Sequence, residues 1–135
     1  MTVGKTIGDQ MIALREEKAA LEEIVALKRP TAISIKPGVD IAGIQPEMSL
    51  ALPIIASAFH QFGVECVITS GKEGKHGRNS LHYVGFALDF RTRDLTEADQ
   101  AVMHILVIKR LSSQFDVVLE KDHLHVEFQP EGVRG

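Results

Sequence analysis

A single cysteine, Cys66, occurs in the 135 residues, so no internal disulfide can staple the chain. It lies in the apolar run VECVIT and reads as a buried, inert thiol. No stretch approaches the roughly 18 consecutive apolar residues that a membrane-spanning helix needs. The opening MTVGKTIGDQ lacks an apolar h-region, which predicts no secretory signal and synthesis in the cytoplasm. Basic residues are not in surplus. Lys and Arg number 15 against 18 Asp and Glu, the net charge is -3, and the bases are scattered. That excludes the electrostatic footprint of a nucleic-acid binder. Internal repeats and low-complexity segments are absent. So is G-x-x-x-x-G-K-[ST], which leaves GKEGKHG without the signature of a phosphate-binding loop.

What remains is ordinary globular material, 44% apolar and 24% charged, in a length that suits one domain with its own core. Residues 1–29 form a separate N-terminal segment ahead of a domain spanning 30–135. Within that segment, residues 5–29 read as an amphipathic helix. Ile7, Met11, Leu14, Leu21 and Val25 recur near a 3.5-residue repeat, Lys18 interrupts it, and Pro30 ends it. The stripe predicts a helix packed over an apolar surface of the domain, with self-association through the same stripe as the alternative.

The domain then punctuates itself. Residues 31–45 alternate loosely around a Pro37-Gly38 turn, giving a short strand or extended arm. A helix follows from about Pro46 to Phe62, stopped by Gly63 and kinked by Pro53. VECVIT (64–69) is a short buried strand and GFALDFR (85–91) another, separated by a polar glycine-rich loop. Thr96 with Asp99 resembles a capping box and opens a helix to about Ser113. FDVVLE and HLHVEF are strands separated only by Lys121-Asp122. This order predicts an α+β domain, a small antiparallel sheet with helices packed on one face.

Strand parity locates the chemistry. In GFALDFR, Phe86, Leu88 and Phe90 share one face, and Ala87, Asp89 and Arg91 the other. In HLHVEF, Leu124, Val126 and Phe128 oppose His123, His125 and Glu127. If the two strands belong to one sheet, Asp89 meets the H-x-H histidines on its polar side, and His82 stands just before. A carboxylate in an apolar strand costs folding energy unless something positive faces it. Two imidazoles and a carboxylate suit zinc, with a fourth position left for water. Parity alone leaves two readings open, a metal centre and a solvated polar face with incidental histidines. His60 and His104 fall within helices as surface or packing residues, and His76 reads as a loop histidine.

SLHYVGFALD fits S-x-H-x-x-G-x-A-x-D through Ser80, His82, Gly85, Ala87 and Asp89, and DHLH supplies a D-x-x-H and H-x-H ending. Over roughly residues 31 to 130 the chain thereby resembles the zinc D-alanyl-D-alanine carboxypeptidase family. That family includes vancomycin-resistance dipeptidases, phage L-alanyl-D-glutamate endolysins and, distantly, the hedgehog signalling domain. The resemblance implies that fold, with the 5–29 helix lying outside it. It implies zinc held by His82, Asp89 and His125, with His123 free to stabilise the transition state and Arg78 and Ser80 near substrate. The implied function is zinc-dependent hydrolysis of D-amino-acid-containing bonds of peptidoglycan peptides by a phage-type endolysin or wall hydrolase, acting after release or within a virion. The alternative is a hedgehog-like zinc-containing structural or binding module without peptidase activity.

The general base has two candidates. The family pattern implies the acid three residues before the last ligand, Asp122. Hairpin geometry suggests Glu120 instead. With Lys121-Asp122 as a two-residue turn, Glu120 faces His123 and Val118 faces His125, and paired residues share a face. A bulge near the turn would swing Asp122 inward.

Overall fold

Alternation within the strands sets the layers of the α+β domain. The computed structural model describes residues 6–28, 32–74, 76 and 80–129, with residues 22–28 as backbone only. Its elements are α1 (Ile7–Lys28), β1 (Ile33–Ile35), α2 (Pro46–Gln61), β2 (Cys66–Ser70), β3 (Ala87–Arg91), α3 (Glu97–Arg110), β4 (Phe115–Leu119) and β5 (His123–Phe128). The strands form one sheet in the order β1-β2-β3-β5-β4, with β1 and β2 parallel and every other pair antiparallel. Leu88 and Phe90 of β3 and Leu124 and Val126 of β5 point to the helix-covered face and are fully buried. There they join Met48, Ile55 and Phe59 of α2 and Met103 and Val107 of α3 in one core. Large side chains buried this completely each contribute about 1.5–3 kcal/mol. The opposite sheet face stays free for Asp89, Arg91, His123 and His125.

Local chemistry ends the elements where the sequence expects, with one exception. Gly63 follows α2 with φ 75° and donates its N–H to His60 O, and α2 runs through Pro53. Thr96 caps α3, its hydroxyl accepting the Asp99 N–H at 3.1 Å. α3 stops at Arg110 rather than near Ser113, because Leu111 turns to extended backbone with ψ 160° and its side chain enters the core.

The expectation for the N-terminal helix needs a correction. α1 forms over nearly the predicted span, but its stripe is not packed against the domain among the described residues: Ile7, Met11, Leu14 and Leu21 are exposed, Ile7 at 76%, and the side chain of Val25 lies outside the described residues. Lys18 lies in the middle of the stripe, and packing it against the domain would strip water from an ammonium group. Among the described residues no helix is long and apolar enough to cross a membrane.

Two features position the segment before β3. Gly85 has φ 81°, and a Cβ there would stand 3.0 Å from Ile44 Cα and 3.1 Å from Gly43 O. The same turn is fastened to the start of α2, since Gly85 O accepts the Gln45 N–H and Val84 O accepts Gln45 Nε2. Gly85→Ala should therefore destabilise the fold by more than the roughly 1–2 kcal/mol of a left-handed residue alone. Gly63→Ala, which has positive φ but open space around it, should lose only that amount. Urea denaturation of the two variants side by side measures the difference.

Candidate metal centre

Asp89 lies mid-β3 on the face away from the helices, and His125 is its registered partner on β5. His82 arrives from the 81–85 turn and is buried. Three atoms converge. His82 Nε2 is 3.2 Å from His125 Nδ1 and 3.3 Å from Asp89 Oδ1, and His125 Nδ1 is 2.8 Å from Asp89 Oδ1. The ligand atoms of this set all lie within 4.8 Å of one another, and the group can hold a metal ion.

The remaining ring nitrogens decide what the three atoms offer. His82 Nδ1 lies 2.9 Å from Gly71 O, and a carbonyl only accepts, so Nδ1 carries a proton and Nε2 a lone pair. His125 Nε2 lies 2.8 Å from Glu127 Oε1, so it donates there, and Nδ1 of the neutral ring is a second lone pair. Two imidazole lone pairs and a carboxylate therefore face one another, an arrangement that needs a cation at its centre. Without a metal the cation is a proton. Burial opposes charge on His125, but hydrogen bonds to Asp89 and Glu127 and their negative charges outweigh it and raise its pKa to about 9. Burial likewise pushes the Asp89 carboxyl up. Hydrogen bonds from His125 and His82, with the charges of His82 and His123, more than reverse that and hold it well below the usual carboxylate range.

A second layer holds the ligands in place. Glu127 fixes the His125 ring as carboxylates do behind metal-bound histidines. Gly71, whose carbonyl orients His82, is held by Glu73. Glu73 Oε1 accepts the N–H groups of Gly71 and Asp40, both at 2.8 Å, and Oε2 accepts the Ser70 hydroxyl at 3.1 Å. The Lys72 N–H returns to Asp40 O at 2.8 Å. Burial would raise the Glu73 pKa, but these hydrogen bonds lower it. Any side chain at Gly71 would overlap Asp40 O. The His76 ring stacks on His82 at 4.2 Å and 6°, and its N–H and C=O both bond to the Tyr83 hydroxyl. β2 carries an irregularity between Ile68 and Ser70 that brings Ser70 opposite Asp89.

The other sequence-derived candidates fall at graded distances. His123 pairs with Arg91 two residues along the strands, its Nε2 3.8 Å from Asp89 Oδ2. Its Nδ1 donates to Asp122 Oδ1 at 2.6 Å. The Asp122 carboxyl is fully exposed, and the His123 hydrogen bond and charge lower its pKa. The hairpin register is the one the two-residue turn predicts. Val118 pairs with His125, and the Glu120 N–H donates to His123 O at 2.8 Å. The sheet's irregularity lies in β2 rather than at this turn, and Asp122 still reaches His123. The Glu120 side chain makes no hydrogen bond or ion pair with the described residues. Ser80 accepts the His82 N–H at 3.2 Å through its hydroxyl, bracing the turn that carries the ligand. Arg78 lies outside the described residues. Sequence reasoning placed Glu127 on the correct face without a role and gave Glu73 none. Parity was the available signal for Glu127, whereas Glu73 acts through partners distant in sequence.

No protein-family model and no curated protein matches the chain.

Because a metal ion would have to displace the proton on His125, binding should release protons, and affinity should rise with pH up to about 9 and level off above it, where His125 has lost that proton. Calorimetric zinc titrations in buffers of different ionisation enthalpy, between pH 6 and pH 9, measure both effects. Glu127→Gln should weaken binding by roughly 10–100-fold.

Proposed function

We propose that the chain is a zinc-dependent peptidase that hydrolyses D-amino-acid-containing bonds of bacterial peptidoglycan, a wall hydrolase of the phage-endolysin type that its motifs resemble. The carrying observation is the convergence of two imidazole lone pairs and one carboxylate on a single point. Two nitrogens and one oxygen form a zinc donor set, and ligand atoms about 2.0–2.1 Å from a tetrahedral zinc stand roughly 3.3 Å apart. The three separations here are 3.2, 3.3 and 2.8 Å. Three protein ligands leave the fourth position open, as in catalytic sites. The substrate class rests on the S-x-H-x-x-G-x-A-x-D and H-x-H motifs. Such a chain reaches the wall on release from the cell or as part of a virion.

Zinc in such a set supplies Lewis acidity toward a peptide carbonyl and toward water. The protein does the rest. Asp122, ionised at neutral pH, accepts a proton from the attacking water on its carboxylate and returns it to the leaving amine. It is favoured over Glu120 because it touches His123 and lines the same cavity. His123, held through Nδ1 by Asp122, presents Nε2 to the centre and, when that nitrogen is protonated, donates to the developing oxyanion. Ser80 and Arg78 are assigned to substrate contact by the motif resemblance alone, Arg78 lying outside the described residues. A binding module would need the ligands alone. The Asp122–His123 pair beside them favours catalysis.

Purified chain reconstituted with zinc should hold about one ion, the stoichiometry of a single mononuclear site. His82→Ala, Asp89→Ala or His125→Ala should each remove most of it, and a wild-type metal content near zero would refute the centre. His123→Ala should keep the zinc yet lose on the order of 10²–10³-fold in turnover of muropeptides followed by mass spectrometry. In the same assay Asp122→Asn should retain zinc and lose most activity, while Glu120→Gln should stay near wild type. The reverse outcome would move the base to Glu120.

A further inference from the structure

On the sheet face that carries the centre, a cavity of about 690 Å³ opens beside His123. Its size falls within the range of small-ligand sites. Half-buried Arg91 and His123 line it, together with exposed Lys36, Glu65, Arg93 and Asp122. Arg91 and His123 are paired two residues along the strands from Asp89 and His125. Two residues of strand cover roughly 7 Å. An extended peptide laid along these strands with its scissile carbonyl at the centre would place the second residue from that bond over the cavity.

The charges lining it are unevenly satisfied. Arg91 is committed to Asp94, with Nε and Nη2 at 3.0 and 2.9 Å from Oδ2. Asp122 is committed to His123 at 2.6 Å. Among the described residues the side chains of Lys36 and Arg93 have no ion pair or hydrogen bond, and Glu65 is the one acid on the lining left equally free. Two uncommitted cations against one uncommitted anion leave room for one more negative group. A guanidinium grips a carboxylate through two parallel hydrogen bonds, and an ammonium adds a point charge.

We propose that this cavity is an anion subsite, in which Arg93 and Lys36 hold a free carboxylate of the peptide about two residues from the cleaved bond and so select acidic peptides. The inference rests on the peptidase reading for the placement of the chain, but the recognition itself is independent of turnover. The test is calorimetric binding to the zinc-loaded full chain at low ionic strength, because exposed charges are screened by salt. The probes are a peptidoglycan stem pentapeptide with its carboxylates free and the same pentapeptide with every carboxyl converted to carboxamide. The acidic form should bind roughly tenfold more tightly, as a charge-assisted contact warrants. The Lys36→Gln/Arg93→Gln double variant should erase that preference while holding the same zinc. Equal affinities in the wild type, a preference that survives in the double variant, or no binding of either peptide would each overturn the subsite. If the acidic peptide bound selectively through these two residues and was never cleaved, the peptidase reading would fall and the subsite would stand.

Discussion

Lone pairs that face one another across 3 Å or so repel unless a cation lies between them, and much of the polar half of this molecule is arranged around that requirement. Gly71 takes the outer proton of His82 and Glu127 that of His125, which turns both inner nitrogens toward Asp89. Glu73 in turn fixes Gly71 by binding its N–H and that of Asp40. Each layer removes one freedom from the layer inside it. The result is a cluster whose rings are already turned toward one point, the preorganisation that a metal ion would require of its ligands.

The apolar half supplies the platform. Leu88, Phe90, Leu124 and Val126 are buried against α2 and α3. Since alternate residues of a strand point oppositely, burying those four obliges Asp89, His123 and His125 to face the other way. A slip of one residue in the β3·β5 register would exchange the two sets and destroy core and centre together. The site is therefore as strongly specified as the core, and by the same residues.

This coupling explains what the sequence could and could not disclose. Asp89, His123 and His125 were legible because period-two alternation is a local signal, and the β4–β5 register followed from a two-residue turn. The Thr96 cap was legible for the same reason. The parallel pairing of β1 with β2 was not, because nothing local records a partner more than 30 residues away. The Glu73 clamp on Asp40 lies beyond local reading for the same reason. α1 misled in a different manner. Its spacing marks a helix correctly, but periodicity reports that a stripe exists and not whether a surface waits to receive it.

The place of β5 in the sheet has a consequence for assembly. It is the last described strand in sequence, yet it sits inside the sheet between β3 and β4. His125, which it carries, is 43 residues from His82. Until β5 inserts, β3 lacks a neighbour on that side, the core lacks Leu124 and Val126, and Asp89 lacks its cross-strand partner His125. Closing the sheet and completing the ligand set are thus a single event. A partly folded chain has no finished cluster, so a chain able to hold an ion there would be one that has finished folding.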